Sequence, residues 1–210
     1  MKSREINSLF KNLSKVIKNP KTDLAYKNKF TLLVSVVLSA QCTDVNVNNV
    51  TKNIYPKYNK PEHFVKLGRK RIEVLIKKIN FFRNKAKSVY LLSKQLIERH
   101  NSEVPKNFEK LIALPGVGRK TANVVMGNVY SIPSVVVDTH VTRITNLLKF
   151  VKTRDAKIIE QILMKIITQN DWTLFAHLLI DHGRMVCIAN RPNCGECVIS
   201  EFCPSNKGDH

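Results

Sequence analysis

A chain of 210 residues with an apolar fraction of 43% is long enough to bury one large core or two small ones, and disorder is not expected. Its 35 Lys and Arg against 16 Asp and Glu give a formal net charge of +19. That excess points to a polyanionic partner, because each neutralised phosphate releases counterions and yields sequence-independent affinity. The abundance of Lys, Asn and Ile also fits an AT-rich genome, which accounts for part of the excess. The longest apolar run, Leu32 to Leu38, is too short to cross a bilayer. No membrane is expected, and the chain reads as a cytoplasmic protein.

In chain order, Ile6, Leu9, Phe10, Leu13, Val16 and Ile17 form a helical stripe that starts at Ser3 and stops before Pro20. Residues Leu24 to Gln41 are apolar nearly all round, as suits a helix buried inside a domain. Asp44 is expected to cap a helix running to about Tyr55, ended by Pro56. Nine basic residues and one acid, Glu73, lie between Lys66 and Lys87. Ile72, Leu75, Ile76 and Ile79 form a further stripe. A longer helix is expected from about Asn84 to His100, with Ala86, Val89, Tyr90, Ser93, Leu96 and Ile97 inward. Ser134 to Val137 is strand-like but too short to build a sheet. Ile158, Ile159, Ile162, Leu163, Ile166 and Ile167 resume the helical pattern, and Trp172, Phe175 and Leu179 continue it. The expected fold class is all-α with short connections.

Between two of these helices lies Leu114-Pro115-Gly116-Val117-Gly118-Arg119-Lys120-Thr121-Ala122. Paired glycines permit a tight turn and close backbone approach, and they leave the amides of the following helix open to an anion such as a DNA phosphate. The string resembles the helix-hairpin-helix motif of DNA repair glycosylases. Lys120 falls in the first turn of the second helix, where the positive helix end, together with partial burial, would favour the free amine. On residue chemistry alone a phosphate-binding and a nucleophilic lysine are equally good readings. Asp138 precedes a helix start and suits an N-cap. A carboxylate beside buried chain also stabilises a cationic sugar transition state when the two are neighbours, which spacing does not establish.

Four of the five cysteines crowd the end of the chain as Cys187, Cys194, Cys197 and Cys203. Pro192, Gly195 and Pro204 are turn formers that help such a loop fold back on one metal centre. Disulfides fit poorly in a chain without a signal peptide. Structural zinc is the competitor, but zinc sites more often show two separated Cys pairs than one CxxC between two outlying cysteines. The spacing favours an iron–sulfur cluster.

With these parts together, the chain resembles the endonuclease III family of bifunctional DNA glycosylase/AP lyases of base excision repair. Leu38-Ser39-Ala40-Gln41 with Thr43-Asp44, Leu114 to Asn123, Val137-Asp138-Thr139-His140 with Arg143, His182-Gly183-Arg184 and the four cysteines stand in family order over nearly the whole chain. The resemblance implies a two-lobed helix-hairpin-helix fold. One lobe spans residues 22–132, and the other joins 1–21 to 133–210 around a 4Fe–4S cluster held by the four cysteines. It implies a monomer acting on damaged double-stranded DNA in a bacterial cytoplasm, associated with the nucleoid, with DNA across the cleft and the damaged pyrimidine flipped out. It makes Lys120 the Schiff-base nucleophile and Asp138 its assistant. Gln41, Phe81, Gly116, Val117, Gly118, Arg119, His140 and Arg143 are placed on the DNA, with Gln41 filling the gap left by the flipped nucleotide.

Three positions depart from the family pattern. Asn80-Phe81-Phe82 replaces a common Gly-Leu pair before tyrosine, so Phe81 is either an intercalating wedge or a core residue. Cys42 replaces a small residue and reads as an unligated core thiol. The loop between Cys187 and Cys194 offers only Arg191 as a phosphate contact. Two other functions compete. A monofunctional, adenine-specific glycosylase of the same superfamily lacks the hairpin lysine, and a non-catalytic DNA-binding module leaves Lys120 and Asp138 together unexplained.

Overall fold

The computed structural model describes residues 3–206. Ten α-helices follow one another there: α1 Ser3–Val16, α2 Lys29–Ser39, α3 Asp44–Thr51, α4 Pro61–Leu75, α5 Phe82–His100, α6 Phe108–Ile112, α7 Arg119–Tyr130, α8 Thr139–Leu147, α9 Ala156–Ile166 and α10 Trp172–Met185. Single 3-10 turns cover Gln169–Asp171, Cys194–Glu196 and Ser200–Phe202. No strand occurs among the described residues, so the fold is all-helical. None of these helices is long and apolar enough to cross a membrane. The chain divides into two compact units, Thr22–Ile132 and Met1–Lys21 with Pro133–His210.

The unit of residues 22–132 is built around α2, whose residues Phe30 to Leu38 are all buried. The helix starts at Lys29, later than the apolar run suggested, because Asn28 and Thr31 close a reciprocal capping box there. Its two inward hydroxyl residues are satisfied. Thr31 Oγ1 donates to Asn28 O at 2.9 Å, and Ser35 Oγ donates to Ala25 O at 3.1 Å while accepting at 2.6 Å from Tyr55 Oη, whose hydroxyl also lies 3.1 Å from Thr31 O. Burial pushes the Tyr55 phenol well above its ordinary value of 10. Thr43 rather than Asp44 caps α3, accepting from Asn46 N. Along α5 the buried side is Lys85, Ala86, Val89, Leu92, Ser93 and Leu96, with Tyr90 and Ile97 only partly covered.

In the other unit, α1 buries Ile6, Leu9 and Leu13, but Val16 turns outward and is 55% exposed. Phe10 meets Phe175 of α10 with ring centroids 5.9 Å apart. Ile159, Leu163 and Ile167 face the core of this unit, whereas Ile158 is exposed. The strand-like run Ser134 to Val137 buries its three valines but pairs with no strand. Its backbone bonds a side chain instead: Ser134 N donates to Thr173 Oγ1 at 3.1 Å, and that hydroxyl donates back to Ser134 O at 3.2 Å. An extended crossing strut thus stands where β-branched composition alone suggested a strand.

Candidate active site

The hairpin between α6 and α7 is closed by two short backbone bonds, Leu114 N to Leu111 O and Val117 N to Leu114 O, both 3.1 Å. Val117 is buried and anchors the turn, so its amide and side chain both point inward. Gly116 has φ 78°, and a Cβ there would lie 2.6 Å from Ser88 Cβ. Both conditions require glycine. Gly118 is extended and has no heavy atom near its missing Cβ, so it leaves open space in front of the α7 N-terminus. No side chain caps that end of α7. First-turn amides and the helix dipole therefore remain available to an outside anion. Arg119 stacks its guanidinium over the Phe108 ring, 4.8 Å from the centroid. Lys120 follows in the same turn and is exposed, so the partial burial expected for it is not observed.

Two exposed residues stand at neighbouring corners of the same unit. Gln41 follows the end of α2 with φ 53°, and Phe81 precedes α5 with φ 57°. Phe81 is 62% exposed, which removes the core alternative for it. Asn80 Nδ2 donates to Gln41 O at 2.8 Å. Lys85, 7% exposed, donates from Nζ to Leu38 O at 2.7 Å and Ala40 O at 2.6 Å. Burial lowers the pKa of its ammonium group, with a smaller opposing influence from nearby Cys42. Cys42 is partly exposed rather than a core thiol, and its Sγ accepts from Asn46 Nδ2. Sequence reading gave no such role to Lys85 or Asn80, noting Lys85 only within a basic stretch and Asn80 only as a departure from the family pattern. The available signal was Lys85 on the inward face of α5, one turn before Val89.

In the other unit, Asp138 is the N-cap of α8, its Oδ1 accepting from Val141 N at 2.9 Å. His140 packs on α10, where Gly183 gives it room. Arg143, expected on DNA, reaches inward: its Nη2 donates to Gly183 O at 3.0 Å and to Cys187 O. His182 lies buried beside Cys197, with Nε2 3.6 Å from Sγ, and its pKa falls to about 4 through burial and the neighbouring Arg143 charge.

Cys187, Cys194, Cys197 and Cys203 are all free thiols and half-buried. They line one cavity of about 80 Å³ walled by apolar groups including Ile144, Leu148 and Ile199. Burial raises the pKa of both the Cys187 and Cys197 thiols. Four thiols lining one small, largely apolar cavity are the donor set of an iron–sulfur cluster, so the residues fit that group. Among the described residues, no three His, Cys, Asp or Glu side chains converge closely enough to hold a single metal ion.

The class of protein follows from a family model, HhH-GPD superfamily base excision DNA repair protein, which matches residues 34–169. Endonuclease III of Rickettsia prowazekii (strain Madrid E) is 43% identical over 203 residues, covering 97% of this chain and 96% of its own. Endonuclease III of Rickettsia conorii (strain ATCC VR-613 / Malish 7) is 45% identical, covering 97% of each. A solved structure of a trapped endonuclease III–DNA covalent intermediate, the estranged-adenine complex, superposes with a TM-score of 0.93 at 38% identity, covering 98% of this chain and 97% of that one. The chain belongs to the endonuclease III family of base excision DNA repair enzymes, which are DNA glycosylases with AP lyase activity.

Proposed function

We propose that this enzyme removes oxidised pyrimidines from double-stranded DNA and then cuts the strand 3′ to the abasic site through a lysine Schiff base. The observation that carries the reading is Lys120, exposed in the first turn of a helix whose N-terminal amides have no side-chain cap. There the amine stands beside a phosphate site without being tied up in a buried ion pair. The 38% identical relative trapped as a covalent intermediate with DNA supports the same chemistry.

In this mechanism the Lys120 nitrogen forms a bond to C1′ as the glycosidic bond breaks, and the base departs with its electron pair. Loss of a nitrogen proton and ring opening give the Schiff base. Removal of a C2′ proton then expels the 3′ phosphate. Asp138 assists the first step, its negative charge opposing the positive charge that develops on the sugar. Gly116, Gly118 and Arg119 bind backbone phosphates, with Val117 fixing the turn. His140 approaches the DNA from the start of α8, and Arg143 supports it from within. Gln41 fills the vacated stack and Phe81 wedges the opposite strand. The enzyme acts as a monomer in the cytoplasm, reaching the nucleoid through its DNA affinity.

Cys187, Cys194, Cys197 and Cys203 would hold the 4Fe–4S cluster, giving residues 1–21 with 133–210 the character of a cluster domain. When bound, the cluster supplies a rigid cross-link that organises this loop. One CxxC between two outlying cysteines, rather than two separated Cys pairs, is what favours the cluster over a single zinc. Borohydride reduction in the presence of abasic duplex DNA tests the function. Trapping of a covalent adduct that disappears in Lys120→Gln is expected, and no adduct with the parent enzyme would exclude the lyase.

A further inference from the structure

Two corners of the residue 22–132 unit, 38–46 and 78–85, are stitched by four side-chain-to-backbone hydrogen bonds. Lys85 Nζ reaches Leu38 O and Ala40 O, Asn80 Nδ2 reaches Gln41 O, and Asn46 Nδ2 reaches Lys78 O at 3.0 Å. Each joins residues more than 30 positions apart, so none is a by-product of local helix geometry. The carbonyls that Lys85 takes lie at the C-terminal end of α2, where intrahelical donors run out and a cation is favoured. One carbonyl it leaves untouched, Gln41 O, is taken by Asn80.

Both residues presented by these corners hold a left-handed backbone with a side chain in place, Gln41 at φ 53° and Phe81 at φ 57°. Non-glycine residues keep such a conformation where surrounding contacts over-determine it. Phe81 amplifies the point. A large apolar side chain 62% exposed gains little from burial in the free protein, and the left-handed backbone sets where its Cα–Cβ bond leaves the chain. The Phe81 carbonyl is itself engaged, accepting from Lys85 N at 3.1 Å. Lys85 therefore touches both corners, with its amide on one and its ammonium on the other.

We propose that Lys85 and Asn80 are positioning residues that lock Gln41 and Phe81 into one preorganised two-pronged wedge for opening the base stack. The proposal rests on the reading above of Gln41 and Phe81 as stack-inserting residues. A wedge that had to order itself on the DNA would add that entropy to the barrier for extruding the base. Asn80 stands where the family often has glycine, which offers no donor, so the Asn80 clamp is a feature of this chain. The paired lesion is the substrate that needs it. A lesion already unpaired needs no wedge.

The test compares single-turnover release of thymine glycol from a fully paired duplex and from the same strand carrying the lesion inside a short mismatch bubble. Asn80→Ala removes an exposed hydrogen bond and leaves the fold intact. Lys85→Met keeps chain length but leaves two carbonyls without a donor. Both variants should lose about tenfold or more on the paired duplex and recover to within about threefold of the parent on the bubble, as a misplaced but intact catalytic group would not. Gln41→Ala and Phe81→Ala provide the control, and both should show the same paired-duplex defect. If they do not, the wedge reading itself fails and the inference falls with it. If they do, but Asn80→Ala equals the parent or loses equally on both substrates, the positioning claim alone is overturned. Should Lys85→Met fail to fold, judged by circular dichroism and iron content, Asn80→Ala decides the matter.

Discussion

Gly183 on α10 and His140 on α8 approach so closely that a Cβ at position 183 would lie 2.8 Å from His140 Cβ and 2.9 Å from its Nδ1. The nearest atom is a Cβ fixed to its backbone, which cannot rotate away. Alanine is favoured over glycine by about 1 kcal/mol inside a helix, but overpacking costs about 1–3 kcal/mol, and an overlap with so rigid a neighbour falls toward the upper end. Gly183→Ala should therefore lower the urea midpoint. Adding His140→Gly should return part of the loss, giving a coupling of about 1 kcal/mol or more in a double-mutant cycle. Additive effects would show that α8 and α10 shift apart without strain.

The two hairpin glycines should separate stability from binding. Gly116→Ala meets Ser88 and imposes φ 78° on a side chain, so unfolding free energy should fall by about 2 kcal/mol or more. Gly118→Ala meets nothing and adopts extended backbone, so stability should stay within about 0.5 kcal/mol. Its methyl group should nevertheless weaken affinity for undamaged duplex, measured by fluorescence anisotropy. Unchanged affinity in Gly118→Ala would mean that phosphate does not approach there.

Lys120 and Asp138 should fail differently. Lys120→Gln should abolish borohydride trapping and strand cleavage while binding to damaged DNA survives. Asp138→Asn keeps an equally good N-cap for Val141 N, so circular dichroism should match the parent. Base release should fall by about two orders of magnitude, or about 3 kcal/mol, as for loss of one preorganised electrostatic stabiliser. Cleavage at a preformed abasic site should suffer less, because no glycosidic bond remains. An equal loss on both substrates would assign Asp138 a structural part only.

Protein purified without air should be yellow-brown and contain about four irons per chain. Cys194→Ser should damage folding of the C-terminal loop far more than Cys42→Ala, because Cys194 lines the thiol cavity and Cys42, outside it, accepts a bond from Asn46. Stoichiometric zinc without iron would overturn the cluster.

Tyr55 makes stability depend on pH in the alkaline range. Its folded pKa lies above the unfolded value of 10. Once pH exceeds 10 the unfolded chain loses this proton while the folded chain keeps it. Fewer protons in the unfolded state mean that stability falls as pH rises. Tyr55→Phe loses hydrogen bonds to Ser35 and Thr31 O and should be less stable at pH 8. The gap between parent and variant in urea unfolding should shrink as pH passes 10. A gap that widens would contradict the burial of the phenol.

Much of the fold could be read from apolar spacing. The buried run of α2 follows from a stretch apolar nearly all round, the faces of α5 and α9 each follow from one periodic stripe, and Asp138 declared itself as a cap by preceding a helix start. The errors have physical causes. Val135 to Val137 resembles a strand because β-branched residues favour extended backbone, yet extension does not require a ladder when Thr173 satisfies the chain. Thr43 displaced Asp44 as the cap because both are good caps and adjacent in sequence. Within the candidate site, the hairpin glycines were legible since local conformation dictates them. Lys85 was not, because its partners lie 45 and 47 positions away and nothing local marks a lysine as buried.

The first and last stretches of the chain share one compact unit, and Asn12 Nδ2 donates to Val198 O across 186 positions. Synthesis runs from one end to the other, so residues 22–132 emerge whole and are free to fold while α1 still lacks α10, on which it packs. At about 5–20 residues per second that wait lasts roughly 10–40 s. Throughout it the Ile6, Leu9 and Leu13 stripe is bare in the nascent chain. A helper that shields short amphipathic segments on the ribosome would find its target in the first two dozen residues, and a ribosome stalled before α10 would release a chain in which Phe10 still lacks Phe175.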